Sequence, residues 1–240
     1  MPALLFAACS SVAAVAYVSV YYIPIYFQFT RGDSAIYTAV RLLPFIFPLI
    51  TTIPLSGALM SRWGYYKPWY VGGSAAALIT GALMAHYVDL DTSPGIFYVV
   101  EFFLGAGAGA YTQSSFAVIQ SVLPPSEGAN GLALMLVAQL GGMTLGLSIS
   151  GAVFINKTKK GLYEVLPHMA SDQIDRLAAG ASGGVLQSLS SELRRRTLEV
   201  IVSSWQSAFI CVYVGAAASL AVSLFLRNGR ANITAAAGGG

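Results

Sequence analysis

Long apolar runs alternate with short polar connectors along almost the whole chain. Six runs reach the roughly 20 residues that a helix needs to cross a bilayer: 3–27, 36–60, 69–87, 96–122, 128–155 and 202–226. The connectors between the first five are QFTRGDSA, SRWGYYKP, HYVDLDTSPG and LPPSEGAN. Each carries Gly, Pro, Asp or Ser, which end helices and start turns. The runs are too long for strands and lack period-two alternation. The pattern therefore predicts an all-α polytopic membrane protein, a bundle of six transmembrane helices within residues 1–227. A polar connector, 156–201, interrupts the pattern; within it, 170–179 and 188–199 predict short amphipathic helices on the membrane surface. The tail 228–240 reads as disordered.

Composition agrees with the pattern. Of 240 residues, 56% are hydrophobic and 10% charged, with a mean hydropathy of +0.68, whereas soluble domains carry about 25% charged residues. The formal net charge of +3 is small and its basic residues are scattered, which excludes nucleic acid as a partner. Cys9 and Cys211 both sit in apolar runs and form no disulfide or zinc-ligand spacing. The two histidines, His86 and His168, belong to no HExxH motif, and there is no CxxC or GxSxG. No catalytic residue, metal site or cofactor is expected, and the chain does not read as an enzyme. LFAAC at 5–9 faintly resembles a lipoprotein cleavage site, but no basic segment precedes it and the apolar run continues to Phe27, so it reads as a mature helix.

Several polar groups lie within the apolar runs. Gly105, Gly107 and Ala110, with Glu127 further on, match a dinucleotide-binding turn. That turn needs a preceding strand and a βαβ unit, which the pattern excludes. At 100° per residue, Glu101, Gly105, Gly109, Thr112, Gln113, Phe116 and Gln120 share roughly a 120° sector. Two readings fit. Gly105-xxx-Gly109 lets another helix approach closely while glutamines bond across helices, or the face lines a cavity, where ionisable groups at membrane depth usually belong. Glu101 lies only about a turn and a half from the helix start, so it can also reach the interface. In 128–155, Met135, Gln139, Gly142, Gly146 and Ser150 form a similar face, and in 3–27 a stripe carries Ser10, Tyr17, Tyr21, Pro24 and Gln28. Aromatic groups near a helix end anchor it at the interface; tyrosine beside glutamine equally suits a pocket for an apolar, partly polar ligand. Pro44, Pro48 and Pro54 kink the second run. Arg41, at its entrance, either snorkels to headgroups or pairs with an anionic group such as Glu101.

Orientation is contested. Asp33, Asp89 and Asp91 mark one side's short loops, and Arg62 and Lys67 the other's, but the long connector on the acidic side holds seven of the thirteen basic residues. The positive-inside bias is counted near helix ends and over loops of this length, so composition leaves the question open.

YYIPIYFQ (21–28), RLLPFIFPLI (41–50), SGALMSRWGYYKPW (56–69), EFFLGAGAGA (101–110), VIQSVLPPSEGANGLAL (118–134) and VAQLGGMTLGLSISGAVFINK (137–157) occur in that order. Together they resemble the C-terminal half of a major facilitator superfamily transporter, closest to the fourteen-helix drug:proton antiporters of fungi. The resemblance implies two six-helix halves that rock about a central path. It places the Arg62/Lys67 loop in the cytoplasm and the 156–201 connector outside. It also implies proton-coupled efflux of small organic molecules such as drugs, toxins or secondary metabolites, from a place in the plasma membrane or, alternatively, the vacuolar membrane. Tyr21, Gln28, Gln113, Gln120 and Gln139 are the expected substrate-path residues, Arg41 and Glu101 candidate charge partners near the outer mouth, and Gly105, Gly109, Gly142 and Gly146 helix-packing positions. The partners implied are the lipid bilayer, the substrate, and a missing N-terminal six-helix half or second chain, which would hold the proton site. Such transporters are about twice this length, so the chain reads as a half or a fragment. The rival expectation is a truncated, non-transporting remnant or a subunit that binds another chain through helix faces.

Overall fold

A computed structural model describes residues 1–179 and 185–227. The expected disordered tail, 228–240, lies outside the described residues. Among the described residues the chain is helical and has no strand. The helices are α1 (Pro2–Arg31), α2 (Ala35–Arg41), α3 (Leu43–Trp63), α4 (Lys67–Tyr87), α5 (Pro94–Thr112), α6 (Ser114–Val122), α7 (Gly128–Val165), α8 (Ser171–Ala178), α9 (Val185–Ser188) and α10 (Ser191–Leu224), with a 3-10 turn at Pro125–Glu127. Five stretches are long and apolar enough to cross a membrane: α1, α3, α5 with α6, α7 with its preceding turn, and α10. α4 has 21 residues, but Gly72, Gly73, Ser74, Thr80, Gly81 and His86 dilute its apolar character.

Local chemistry sets the ends. Gly32 and Gly64 adopt left-handed backbone (φ 65° and 76°) and end α1 and α3, the N–H of each donating to a carbonyl four residues back, Gln28 and Met60. Side chains there would be strained; glycine is not. Pro68 and Pro94 sit in first turns, where a missing N–H leaves no helical bond unmade. The expected run 36–60 is divided at Leu42, just ahead of Pro44, and 96–122 is divided at Gln113.

The connector 156–201 differs most from expectation. α7 continues to Val165 and α10 starts at Ser191, so both ends of the connector prolong membrane-length helices. Residues 188–199 are not a separate surface helix. Ser190 accepts from the Leu193 N–H (3.4 Å), and no Gly or Pro interrupts 191–214. The pairs Glu192–Arg196 (2.9 Å) and Arg195–Glu199 (3.1 Å) add i,i+4 support. α8 falls within 170–179 and buries Ile174 and Leu177, with Lys159 of α7 pairing with Asp175 at 2.9 Å.

α1 packs between α7 and α10, α5 between α3 and α4, and α4 closes against α10. Half of the apolar stretch of α1, and of α5 with α6, is buried inside the protein, against 22% for α3 and α7; the first two are central and the last two flank them. Backbones meet where side chains vanish. A Cβ on Gly107 would lie 2.9 Å from the Gly73 oxygen on α4, and one on Gly109 would lie 2.5 Å from the Leu49 oxygen on α3. At one end, Tyr26 stacks on Phe97 (4.7 Å) and Trp205 on Phe209 (4.6 Å). The Trp205 indole N–H donates to the Tyr22 carbonyl (2.6 Å), so this aromatic group ties α1, α5 and α10 together.

Candidate functional site

Helix α1 is buried on most of its circumference and open along one stripe. Tyr17 and Tyr21 are 41% and 56% exposed, and Gln28 is exposed below them, with half-buried Pro24 between. From Tyr21 to Gln28 this stripe forms one wall of a groove of about 780 Å³. The other wall is α7, through Leu147, Ser148, Gly151, Phe154 and Ile155, and Ala178 with Ala179 close one end. Edge-on ring contacts brace it: Tyr21 with Tyr22 at 5.2 Å, and Tyr22 with Phe154 at 5.6 Å. Pro24 has no N–H to give the carbonyl of Val20, which lines the same groove. The chemistry on offer is apolar surface with a phenol, an amide and a hydroxyl, from Tyr21, Gln28 and Ser148. Among the described residues, no Asp, Glu, Lys or Arg lines the groove. It therefore suits an uncharged or weakly polar organic molecule, because a charge in an apolar site without a counter-charge is costly.

The other expected path residues lie elsewhere. Gln113 occupies the break between α5 and α6 and is exposed; Gln120, also exposed, donates from its amide nitrogen to the Phe116 carbonyl of its own helix (3.1 Å). Gln139 is half-buried on α7. None of the three lines the α1–α7 groove. The face grouped from the sequence, Glu101 to Gln120, is thus divided. Gly105 and Gly109 meet the backbone of α3 at Phe45 and Leu49, whereas Gln113 and Gln120, beyond the break, face outward. Gly142 and Gly146 meet α1 at Ser10 and Ala14.

Arg41 does not pair with Glu101. Its Nε donates to Asp33, its NH1 donates to the Tyr98 hydroxyl at 2.6 Å, and its guanidinium lies 4.9 Å from the Phe27 ring centre. Asp33 is nearer in sequence, at the end where α2 begins, and captures the cation first. The hydrogen bond to Asp33 raises the Arg41 guanidinium above its ordinary value, so it stays charged at physiological pH. Glu101 is fully buried, and among the described residues neither carboxyl oxygen has a hydrogen-bond partner.

Sequence reasoning missed Ser148 and Phe154. It selected the Gly142–Gly146–Ser150 stripe of α7, which packs on α1, while the groove wall lies one residue further round. Helical period alone treats both flanks of a packing stripe alike.

A family model described as Major Facilitator Superfamily matches residues 1–154. The chain is 39% identical over 238 residues to the "Phomenoic acid biosynthesis cluster MFS-type transporter" of Leptosphaeria maculans, covering 92% of this chain and 38% of that protein. It is 35% identical over 223 residues to "MFS-type transporter pgmG" of Aspergillus terreus, covering 93% and 40%. It is 38% identical over 203 residues to "Efflux pump DEP3" of Alternaria brassicicola, covering 85% and 36%. The chain spans about two fifths of the length of these curated relatives.

Proposed function

Because the chain belongs to the major facilitator superfamily and is an integral membrane protein, we propose that it forms one half of a proton-coupled efflux carrier for small organic molecules. It works by alternating access, without covalent chemistry and without a cofactor, in the plasma membrane. Its second half is an N-terminal set of helices, supplied on the same or another chain. Names of relatives that refer to efflux and to a biosynthesis cluster support drugs, toxins or secondary metabolites as the cargo class.

The observation that carries this reading is the open stripe of α1. A central, otherwise buried helix leaves Tyr21 and Gln28 uncovered beside α7. In a bilayer, such a stripe is sheltered only if it faces an interior path. The test replaces the matching segment of the Leptosphaeria maculans transporter with this chain and measures how much of a fluorescent organic compound yeast cells retain. We expect export from the chimera, and a loss of roughly tenfold in Tyr21→Ala/Gln28→Ala, from about 1.4 kcal/mol of lost hydrogen bonding. Undiminished export by the double variant would refute the assignment of the groove.

The rival is a non-transporting remnant or partner subunit that binds another chain through its helix faces. It draws on the scant burial of α3 and α7. A folded chimera that exports nothing, while the chain co-purifies with a partner, would favour it.

A further inference from the structure

Glu101 stands on α5 one turn after Phe97 and one turn before Gly105. Both neighbours are committed: Phe97 stacks within the Tyr26 and Trp205 cluster, and Gly105 lies against the α3 backbone. Glu101 is 0% exposed, and among the described residues neither of its oxygens has a hydrogen-bond partner. An ionised carboxylate here would lose its hydration and receive nothing in exchange, whereas a carboxylic acid is neutral and loses far less.

The titratable and charged groups at this end of the elements packed around α5 are all occupied or turned elsewhere. On α1, Tyr26 donates to the Asp89 carbonyl and Arg31 to the Thr92 carbonyl, and the Tyr22 ring is against Phe154. Arg41 of α2 is held by Asp33 and Tyr98. On α4, the His86 ring lies against Tyr213, and Tyr87 is 76% exposed. α3 brings its only charged residue, Arg62, at its opposite end, and α6 brings none.

We propose that Glu101 is a proton-binding site within this half, the group that couples the carrier to the proton gradient. The carboxylate takes one proton from water on a carboxyl oxygen as the seam between α3 and α5 closes, holds it while the seam is closed, as here, and returns it to water when the seam opens. No other bond forms or breaks. Pro48 and Pro54, inside the facing helix and lacking N–H donors, each leave a helical carbonyl unpaired and make α3 the element that can bend away. This assignment rests on the carrier reading, but its test does not.

Infrared difference spectra of the purified chain in lipid vesicles, recorded between acid and alkaline pH, read the carboxylic C=O stretch directly. A band in the wild type that is lost in Glu101→Gln and displaced in Glu101→Asp is expected; a difference spectrum unchanged by Glu101→Gln overturns the proposal whether or not the chain transports. In the chimera, Glu101→Gln should still equilibrate substrate down the substrate's own gradient, while accumulation driven by a pH gradient falls to that equilibrium level. Full gradient-driven accumulation by this variant overturns the coupling role. If wild-type chimera moves no substrate, the carrier reading fails, and the infrared band still decides the proton site.

Discussion

At Gly105 and Gly57 the same substitution should have opposite signs. A Cβ on Gly105 meets the backbone of Phe45, which cannot yield as a side-chain tip could, whereas one on Gly57 meets nothing within 4 Å. Gly105→Ala should destabilise the protein by about 1–3 kcal/mol through overpacking. Gly57→Ala should be neutral or stabilise by up to about 1 kcal/mol through helix propensity. Thermal unfolding in detergent, followed by tryptophan fluorescence, compares them. Trp205→Phe keeps the aromatic cluster but removes the donor to the Tyr22 carbonyl; a loss of about 0.5–1.5 kcal/mol is expected in the same assay. The sequence allowed Gly105 as a packing position and Gln113 as a neighbour on its face. It could not tell that a break of one residue separates them, because helical-wheel geometry presumes an unbroken helix.

Individual elements were legible to the degree that they depend on apolar length. The run 96–122 corresponds closely to α5 with α6, and 69–87 to α4 despite its diluted apolar character, because Pro, Gly and Asp set their boundaries. The outer parts of α7 and α10 were not legible as parts of long helices. Their residues are polar, and hydropathy reports solvent, not backbone conformation; on α10 the Ser190 cap and the i,i+4 pairs support the helix there. α8 illustrates which forces dock a short element. Ile174 and Leu177 are fully buried, while the Lys159–Asp175 pair is partly exposed, with side chains 35% and 52% accessible. Leu177→Ala should therefore cost about 2–4 kcal/mol and expose 171–178 to limited proteolysis. Asp175→Ala should change stability by less than about 1 kcal/mol. Equal protease sensitivity in the two variants would contradict this ranking.

For the whole molecule, the uneven burial of its helices matters most. α3 and α7 present Phe47, Ile50, Val137 and Leu145 outward, and a partner that covers either face binds the folded chain only. Co-expression with the N-terminal part of the Leptosphaeria maculans transporter should therefore raise the thermal midpoint of this chain; an unchanged midpoint would argue against docking. The length of α7 has a different consequence. Its 38 residues extend about 57 Å at 1.5 Å per residue, nearly twice the roughly 30 Å of a hydrocarbon core. The segment past Asn156 is thus a stiff pointer fixed to a helix within the bilayer, and Tyr163, 46% exposed, is near its tip. A few degrees of rocking at mid-membrane would sweep that tip through a distance a fluorescent label can register, so the protein carries a built-in gauge of its own motion.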